Sequence, residues 1–208
     1  MIIDEVFAKT KVVPVVVIDD SQRAAPLAEA MVAGGLPIAE VTFRTDAAED
    51  SIRIMSQYPD MIVGAGTILN EEQAERAIDA GAKFVVLPGM NADVVRFCQS
   101  KNVPVFPGAT SATEMMEAIA LGLNVVKFFP AEANGGAAAI KDYTGPFGNL
   151  RFMPTGGVSP QNIGEYLAVP QIIAVGGTWM VPKQKISNGE FGDIKELCHQ
   201  TISMIENL

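Results

Sequence analysis

The sequence predicts an α/β fold in which eight strands, each followed by a helix, close into a barrel. Three observations lead to this prediction. Short apolar stretches alternate with stretches of helical apolar spacing, and eight of the short stretches have strand character. These stretches are nearly continuously apolar, as in parallel strands covered on both faces. A length of 208 residues is in the lower range for such a (β/α)8 TIM barrel, so residues 1–208 are expected to form one domain.

The alternation begins with a short helix at residues 2–9 and then proceeds strand by strand. The candidate strands are residues 12–18, 38–43, 62–66, 84–87, 103–106, 125–129, 151–153 and 172–175. The candidate helices between and after them are residues 21–33, 47–57, 71–80, 92–101, 112–121, 135–143, 161–168 and about 191–206. A doubly wound open sheet is the alternative arrangement of the same elements.

Residues at the segment ends support these boundaries. The first strand runs from Val12 to Ile18 and is interrupted only by Pro14. Residues that favour helix N-termini stand at the starts of several helices, at Ser21, Asn70, Asn91, Ser111 and Ser159 or Pro160. Glycines that suit the left-handed turn after a helix follow others, at Gly34, Gly35, Gly81 and Gly122.

Composition and charge narrow the classes of function. A formal net charge of -9 argues against a nucleic-acid or acidic-membrane partner, because neither attracts an acidic chain. The N-terminal residues lack a signal-peptide pattern, and no apolar stretch approaches membrane-spanning length. Cys98 and Cys198 lie in helix-like segments, which favours buried or free thiols and a cytoplasmic protein. The single histidine, His199, reads as a surface residue and excludes histidine triads and multi-histidine metal sites.

Lys127 lies within the apolar sixth strand, which ends at Pro130. Alternation places Lys127 and Phe129 on the same side, and in a barrel that side is the interior. Burial disfavours an ammonium ion, and the neutral amine of a lysine attacks a carbonyl carbon to form an imine. The alternative is a lysine whose stem lies on the surface and whose charge stays in water. A nucleophilic lysine at the end of a barrel strand is the functional interpretation.

The second strand carries polar residues at a spacing of two, at Glu40, Thr42 and Arg44, so all three are expected on its inner face. An internal salt bridge would explain the two charges structurally. With Lys127 on the same inner wall, we favour a proton-transferring role for Glu40 and a substrate carboxylate bound by Arg44. Thr67, after the glycine-rich end of the third strand, could donate its hydroxyl to that carboxylate or support the turn.

Glycine pairs stand at the ends of the last two strands. Gly156-Gly157 follows the seventh strand and Gly176-Gly177 follows the eighth. Tight turns explain one such pair, but barrels of this type often bind phosphate between these two loops through backbone N–H groups. Both pairs at the expected places predict a phosphate site.

In order and spacing, these motifs resemble the 2-keto-3-deoxy-6-phosphogluconate aldolases, also described as 4-hydroxy-2-oxoglutarate aldolases. The resemblance runs from about Val13 through Val181. It is carried by Gly34-Gly35, Ala39-Glu40-Val41-Thr42-Phe43-Arg44-Thr45, Gly64-Ala65-Gly66-Thr67, Pro88-Gly89, Lys127-Phe128-Phe129-Pro130-Ala131-Glu132 and Pro154-Thr155-Gly156-Gly157.

The resemblance implies a class I aldolase of the Entner–Doudoroff type, a homotrimer without a metal or other cofactor. By position, Lys127 matches the imine-forming lysine, Glu40 the acid/base, and Arg44 with Thr67 the groups that bind the pyruvate carboxylate. Further substrate contacts are expected from Phe129 and Thr155, and phosphate contacts from Gly156, Gly157, Gly176, Gly177 and Thr178. Thr178 stands where many relatives have serine, and an N-terminus shorter than in some relatives leaves closure of the barrel bottom open.

The substrate implied is 2-keto-3-deoxy-6-phosphogluconate, a keto-acid phosphate cleaved to pyruvate and glyceraldehyde 3-phosphate, with 4-hydroxy-2-oxoglutarate as a second candidate. An aldolase for the galactonate epimer is an alternative, because the sequence does not resolve the stereochemistry at C4. A phosphate-binding epimerase or decarboxylase would need metal-binding histidines or a lysine and aspartate array that the strand ends do not offer. A non-catalytic barrel that binds a keto-acid phosphate is the remaining alternative.

Overall fold

Strands and helices alternate throughout residues 3–208, the part of the chain that this computed structural model describes. Those residues form the strands β1 (Val12–Val16), β2 (Ile38–Thr42), β3 (Ile62–Gly66), β4 (Val85–Val86), β5 (Val105–Phe106), β6 (Val125–Phe128), β7 (Arg151–Pro154) and β8 (Val175–Gly177). They also form the helices α1 (Ile3–Thr10), α2 (Ala24–Ala33), α3 (Ala48–Met55), α4 (Glu71–Asp79), α5 (Ala92–Ser100), α6 (Ala112–Ala120), α7 (Gly136–Tyr143), α8 (Ile163–Leu167), α9 (Lys183–Asn188) and α10 (Phe191–Glu206). Two short 3-10 turns lie at Ser21–Arg23 and Glu132–Asn134.

The strands pair in parallel throughout residues 3–208, and together they give the predicted barrel. Six strands pair in the order β5-β4-β3-β2-β1-β8, and β6 pairs with β7. Isolated bridges join the two groups, from Gly108 to Lys127 on one side and from Phe152 to Ile172 and Thr155 to Gly176 on the other. Both seams therefore lie at the level of the predicted site residues.

Several predicted boundaries were wrong at the strand ends. The eighth strand was expected at residues 172–175, but β8 spans Val175–Gly177 because its ladder with β1 begins at the pair Val12 and Val175. Ile172 makes only an isolated bridge to Phe152. Helix α9 was not predicted. The predicted first residue of α1, Ile2, lies outside the described residues.

Helix α1 closes the bottom of the barrel, which the sequence had left open. Phe7 is fully buried and its ring centroid lies 5.2 Å from that of Phe84 and 5.0 Å from that of Phe106. Arg151 at the start of β7 donates to Asp4 of α1 at 2.7 Å. Aromatic packing and this ion pair hold α1 across the bottom of the barrel.

The thiols and the histidine lie where the sequence placed them. Cys98 and Cys198 are buried and free, and burial raises their pKa values to about 11 and about 12. His199 is exposed on α10. Within residues 3–208, no helix has both the length and the apolar character that crossing a membrane requires.

Candidate active site

An ion pair between Lys127 and Glu40 lies inside the barrel. Nζ of Lys127 lies 3.0 Å from Oε1 of Glu40, and the two side chains are 5% and 0% exposed. Both residues are therefore together on the inner wall, as the alternation of β2 and β6 predicted. The surface alternative for Lys127 was wrong, because only 5% of its side chain is exposed and its amine is paired inside the barrel.

The strand registers explain how the two side chains meet. Glu40 pairs with Val15 of β1 and Gly64 of β3, and Lys127 pairs with Met153 of β7. A side chain on Gly66, one step further along β3, would overlap the Glu40 carboxylate. The absence of a side chain at Gly66 is thus what leaves room for the carboxylate.

Two buried side-chain oxygens of the barrel have no hydrogen-bond partner among residues 3–208. They are Oε2 of Glu40 and Oγ1 of Thr155, and both atoms are buried. The ring of Phe129 has its centroid 5.2 Å from Nζ of Lys127, within the range of a cation–π contact. Buried polar atoms are normally satisfied, so the two free oxygens indicate a site that receives polar atoms from a ligand.

Arg44 and Thr67 lie together at the rim of the barrel. Nε of Arg44 donates to Oγ1 of Thr67 at 3.3 Å. Thr67 has a φ of 58°, a left-handed conformation that is strained for a β-branched residue. The prediction that Arg44 continues the inner face of its strand was wrong, because β2 ends at Thr42 and Arg44 is an exposed turn residue. Thr42, the last residue of β2, is buried, and its hydroxyl donates to the carbonyl of Val16 in β1 at 2.9 Å.

The two glycine pairs differ in backbone conformation. Gly156 and Gly157 form a turn with φ values of 96° and 85°, which favour glycine. Gly176 and Gly177 were expected after the last strand, but both are buried residues of β8. They are small for packing reasons, since a side chain would overlap Thr155 at Gly176 and the Trp179 ring at Gly177.

The two predicted phosphate segments are nevertheless neighbours. The bridge between Thr155 and Gly176 places the turn after β7 beside the end of β8. Thr178 is exposed just beyond that strand. A cleft of about 340 Å³ lies next to it, lined by Val15, Val17, Thr178, Trp179, Val181, Pro182 and Lys183.

Glu132 lies against the turn of Gly156 and Gly157 and is bound by Tyr166, a pair that sequence reasoning did not identify. The hydroxyl of Tyr166 donates to Oε1 of Glu132, and the stem of Glu132 lies where a side chain of Gly157 would be. A tyrosine at a core position of a short helix was the available signal, because a buried tyrosine hydroxyl usually needs a partner.

Metal-ligating side chains do not cluster near the ion pair. Within residues 3–208, no group of three or more His, Cys, Asp or Glu side chains is arranged to hold a metal ion. The groups that the barrel gathers are an amine, a carboxylate, hydroxyls and backbone amides.

Comparisons with known proteins match the chain to aldolases, whose chemistry can use these groups. The family model described as "KDPG and KHG aldolase" matches residues 3–197. The 2-dehydro-3-deoxy-phosphogluconate aldolase of Treponema pallidum is 45% identical over 202 residues, covering 97% of this chain and 96% of the relative. The KHG/KDPG aldolase of Escherichia coli K12 is 42% identical over 192 residues, covering 92% and 90%.

A solved structure matches almost the entire chain. The KDPG aldolase of Legionella pneumophila, crystallised with pyruvate captured as a covalent carbinolamine, superposes with a TM-score of 0.92 at 39% identity. The match covers 97% of this chain and 98% of that one.

Proposed function

The chain belongs to the family of KDPG and KHG aldolases, and from this premise we propose that Lys127 is its imine-forming amine. Members of this family are carbon–carbon lyases, so the protein is an aldolase of the class I type, which works through a Schiff base. The observation that supports Lys127 is the enclosed hydrogen bond to Glu40 at 3.0 Å. A proton shift along that bond leaves a neutral amine beside a protonated carboxyl group.

The neutral amine of Lys127 attacks the C2 ketone of the substrate and gives a carbinolamine. Glu40 donates the proton needed for the hydroxyl to leave as water, and the product is a protonated imine. The Phe129 ring, 5.2 Å from Nζ, stabilises that cation by its π face. Oε2 of Glu40, which has no partner within the described residues, provides the free acceptor for the next proton.

The protonated imine at C2 then withdraws electrons from the neighbouring C3–C4 bond, which is the bond that is cleaved. Glu40, again a carboxylate, takes the proton of the C4 hydroxyl, which becomes the aldehyde carbonyl as the C3–C4 bond breaks. The electron pair of that bond forms the C2–C3 double bond of an enamine, and the imine nitrogen becomes neutral. Protonation at C3 and hydrolysis release pyruvate and free Lys127.

Binding groups at the rim orient the substrate for this step. We assign the pyruvate carboxylate to the Arg44 guanidinium and the Thr67 hydroxyl, which already lie 3.3 Å apart. Thr155, with its buried free hydroxyl, offers a hydrogen bond to a substrate oxygen. The phosphate is assigned to the backbone of Gly156 and Gly157 and of the adjacent segment Gly176, Gly177 and Thr178.

The names of the relatives suggest the substrates. The Treponema protein is named for 2-dehydro-3-deoxy-phosphogluconate and the Escherichia protein for both KHG and KDPG. We therefore propose 2-keto-3-deoxy-6-phosphogluconate as the main substrate, with glyceraldehyde 3-phosphate as the aldehyde product. 4-Hydroxy-2-oxoglutarate, which gives glyoxylate, is the second substrate.

Borohydride trapping tests the assignment of Lys127. The protein is incubated with pyruvate and sodium borohydride in the presence of EDTA, and the added mass is located by peptide mass spectrometry. A reduced pyruvate adduct on Lys127 is expected. A folded protein without an adduct, or with the adduct on another lysine, would overturn the assignment. Cleavage assays with the gluconate and galactonate epimers then decide the stereochemistry at C4.

Assembly and location are part of the same proposal. We propose one barrel domain per chain, a homotrimer, and a cytoplasmic enzyme, which suits two buried free thiols. On α6, Met115 is buried, whereas Met116 and Ile119 are 63% and 49% exposed and could lie at an interface between copies. Light scattering after size exclusion measures the stoichiometry, and a monomeric mass would contradict the trimer.

A further inference from the structure

We propose that Glu132 and Tyr166 are positioning residues that hold the turn of Gly156 and Gly157 in its phosphate-binding conformation. The proposal rests on the phosphate site proposed above. It concerns two residues that touch neither the ion pair of Lys127 and Glu40 nor the reacting carbon atoms in the mechanism. Their role would be to lower the cost of binding a phosphorylated substrate.

Glu132 contacts the turn with both its backbone and its side chain. Its N–H donates to the carbonyl of Gly156 at 3.1 Å. Its Cβ and Cγ atoms occupy the space into which a side chain at Gly157 would point. The preceding residue repeats the backbone contact, because the N–H of Ala131 donates to the carbonyl of Thr155 at 2.8 Å. The segment after β6 therefore forms one wall of the turn after β7.

Tyr166 fixes the orientation of the Glu132 side chain. Tyr166 is 1% exposed and lies in α8, so its ring is anchored by the core while its hydroxyl reaches Oε1 of Glu132. Burial raises the pKa of Tyr166, and the hydrogen bond to Glu132 and the charges of Glu132 and Glu165 raise it further. The hydroxyl therefore remains protonated at neutral pH and keeps donating to Glu132.

The turn itself has little intrinsic rigidity. Two successive glycines with positive φ have many accessible conformations in the absence of packing. Gly157 is exposed, and its carbonyl accepts one hydrogen bond from Nδ2 of Asn162 at 3.0 Å. Preorganised binding groups avoid an ordering cost when the ligand arrives. A side chain packed against Gly157 and locked by a buried tyrosine provides that preorganisation.

The charge of the Glu132 carboxylate is a second reason why its orientation matters for phosphate binding. An unrestrained Glu132 side chain beside the turn could rotate toward the phosphate and repel it, since like charges nearby disfavour binding. The hydrogen bond from Tyr166 directs the carboxylate toward α8. Loss of the bond would therefore weaken phosphate binding in two ways, by loosening the turn and by freeing a negative charge.

Substrates with and without phosphate separate this role from a general structural one. We would measure kcat and KM for 2-keto-3-deoxy-6-phosphogluconate and for 4-hydroxy-2-oxoglutarate, and inhibition by inorganic phosphate, in Tyr166→Phe, Glu132→Ala and Glu132→Gln. The first two variants should raise the KM of the phosphorylated substrate and the phosphate inhibition constant about tenfold, the scale of one lost hydrogen bond to a charged group. Values for 4-hydroxy-2-oxoglutarate should stay at those of the unmodified protein.

Glu132→Gln is the conservative rescue, because its amide oxygen accepts the same hydrogen bond without the charge, and it should bind phosphate at least as well as the unmodified protein. Tyr143→Phe is the matched control: the Tyr143 hydroxyl donates to the carbonyl of Thr110 at 3.0 Å, away from the turn. It should leave both KM values unchanged. Combining Tyr166→Phe with Glu132→Ala should add little to either single loss.

Two results would overturn the inference while leaving the proposed phosphate site intact. One is an unchanged KM for the phosphorylated substrate in Tyr166→Phe and Glu132→Ala. The other is an equal loss on both substrates, which would indicate a structural role. If the unmodified protein neither prefers the phosphorylated substrate nor is inhibited by phosphate, the phosphate site itself is wrong and this inference fails with it.

Discussion

Nζ of Lys127 and Oε1 of Glu40 lie 3.0 Å apart although 87 positions separate the two residues in the chain. The pair is almost fully enclosed, with side chains 5% and 0% exposed. In such a place either charge alone would be costly, because desolvation is no longer offset by a partner. The two residues therefore depend on each other for stability as well as for the proposed chemistry.

Lys127→Met and Lys127→Arg should separate stability from catalysis. Methionine leaves the Glu40 carboxylate buried without a counter-charge, and the free energy of unfolding should fall by about 3–5 kcal/mol. Arginine keeps a positive charge and should cost less stability. Both variants should lack turnover, because neither side chain forms an imine. Urea unfolding and a pyruvate-release assay measure the two effects, and substantial turnover by Lys127→Arg would refute the assignment.

Glu40→Gln should reduce the rate of proton transfer while keeping the shape of the site. The loss expected for a general acid/base is about 10²- to 10⁴-fold in turnover. Enamine formation from pyruvate can be followed by NMR as deuterium exchange into the methyl group in D2O, and this exchange should fall in parallel. The exposed Glu117→Gln is the control. Exchange at the unmodified rate in Glu40→Gln would show that another group moves the proton.

Gly66→Ala should disturb the ion pair although neither Lys127 nor Glu40 is substituted. The added methyl group would overlap the Glu40 carboxylate, so the carboxylate must shift away from Lys127 and turnover should fall strongly. Gly192→Ala is a suitable control, because a methyl group there would lie more than 4 Å from every described residue outside its own stretch of helix α10. Full activity of Gly66→Ala would mean that the position of the carboxylate matters little.

Thr67→Gly should weaken pyruvate binding and increase the stability of the folded protein. The left-handed backbone of Thr67, φ 58°, is strained for a β-branched residue, and glycine should relieve about 1 kcal/mol of that strain. The loss of the hydroxyl that accepts from Arg44 should raise the pyruvate concentration needed for half-maximal borohydride trapping. Thermal unfolding gives the stability.

Asn102→Gly is the matched control, since Asn102 has nearly the same φ, 57°, at the turn after α5. Asparagine tolerates this conformation better than threonine, so its stability should change less and pyruvate trapping should not change. Equal effects of both substitutions on trapping would contradict a binding role for Thr67.

Glu114 should make the stability of the protein depend on acid pH. Burial acts to raise the pKa of Glu114, but hydrogen bonds from the backbone of Thr110 and from Ser111 outweigh it and hold the pKa below its ordinary value of 4.5. A depressed pKa means that the carboxylate stabilises the folded state above its ordinary pKa, and that this contribution is lost as the pH falls through the lowered value.

Glu114→Gln should therefore be less stable than the unmodified protein at pH 7, by about 1 kcal/mol as for the loss of a helix cap, and the difference should shrink in acid. Urea midpoints measured at neutral and acid pH give both differences. Glu117→Gln, on the same helix and exposed, should show no such trend. A difference that is constant with pH would contradict the assignment of the capping carboxylate.

Most of the architecture was predictable because it depends on local patterns. Strand alternation placed Lys127 and Glu40 on inner faces, and capping residues such as Asn70, Asn91 and Ser111 marked helix starts that the structure confirms. Short-range propensities and side-chain periodicity contain this information. The family resemblance rested on the same local motifs.

Local sequence patterns were enough to identify the kinds of group available and the faces on which the strands present them. Which of these groups meet depends on the folded barrel. Closure of the barrel brought Lys127 to Glu40, ended β2 before Arg44, placed Gly176 and Gly177 inside β8, and set Tyr166 against Glu132. The physical reason is that periodicity acts over a few residues, whereas contacts between distant segments depend on strand register, stagger and the volume that packed side chains leave free.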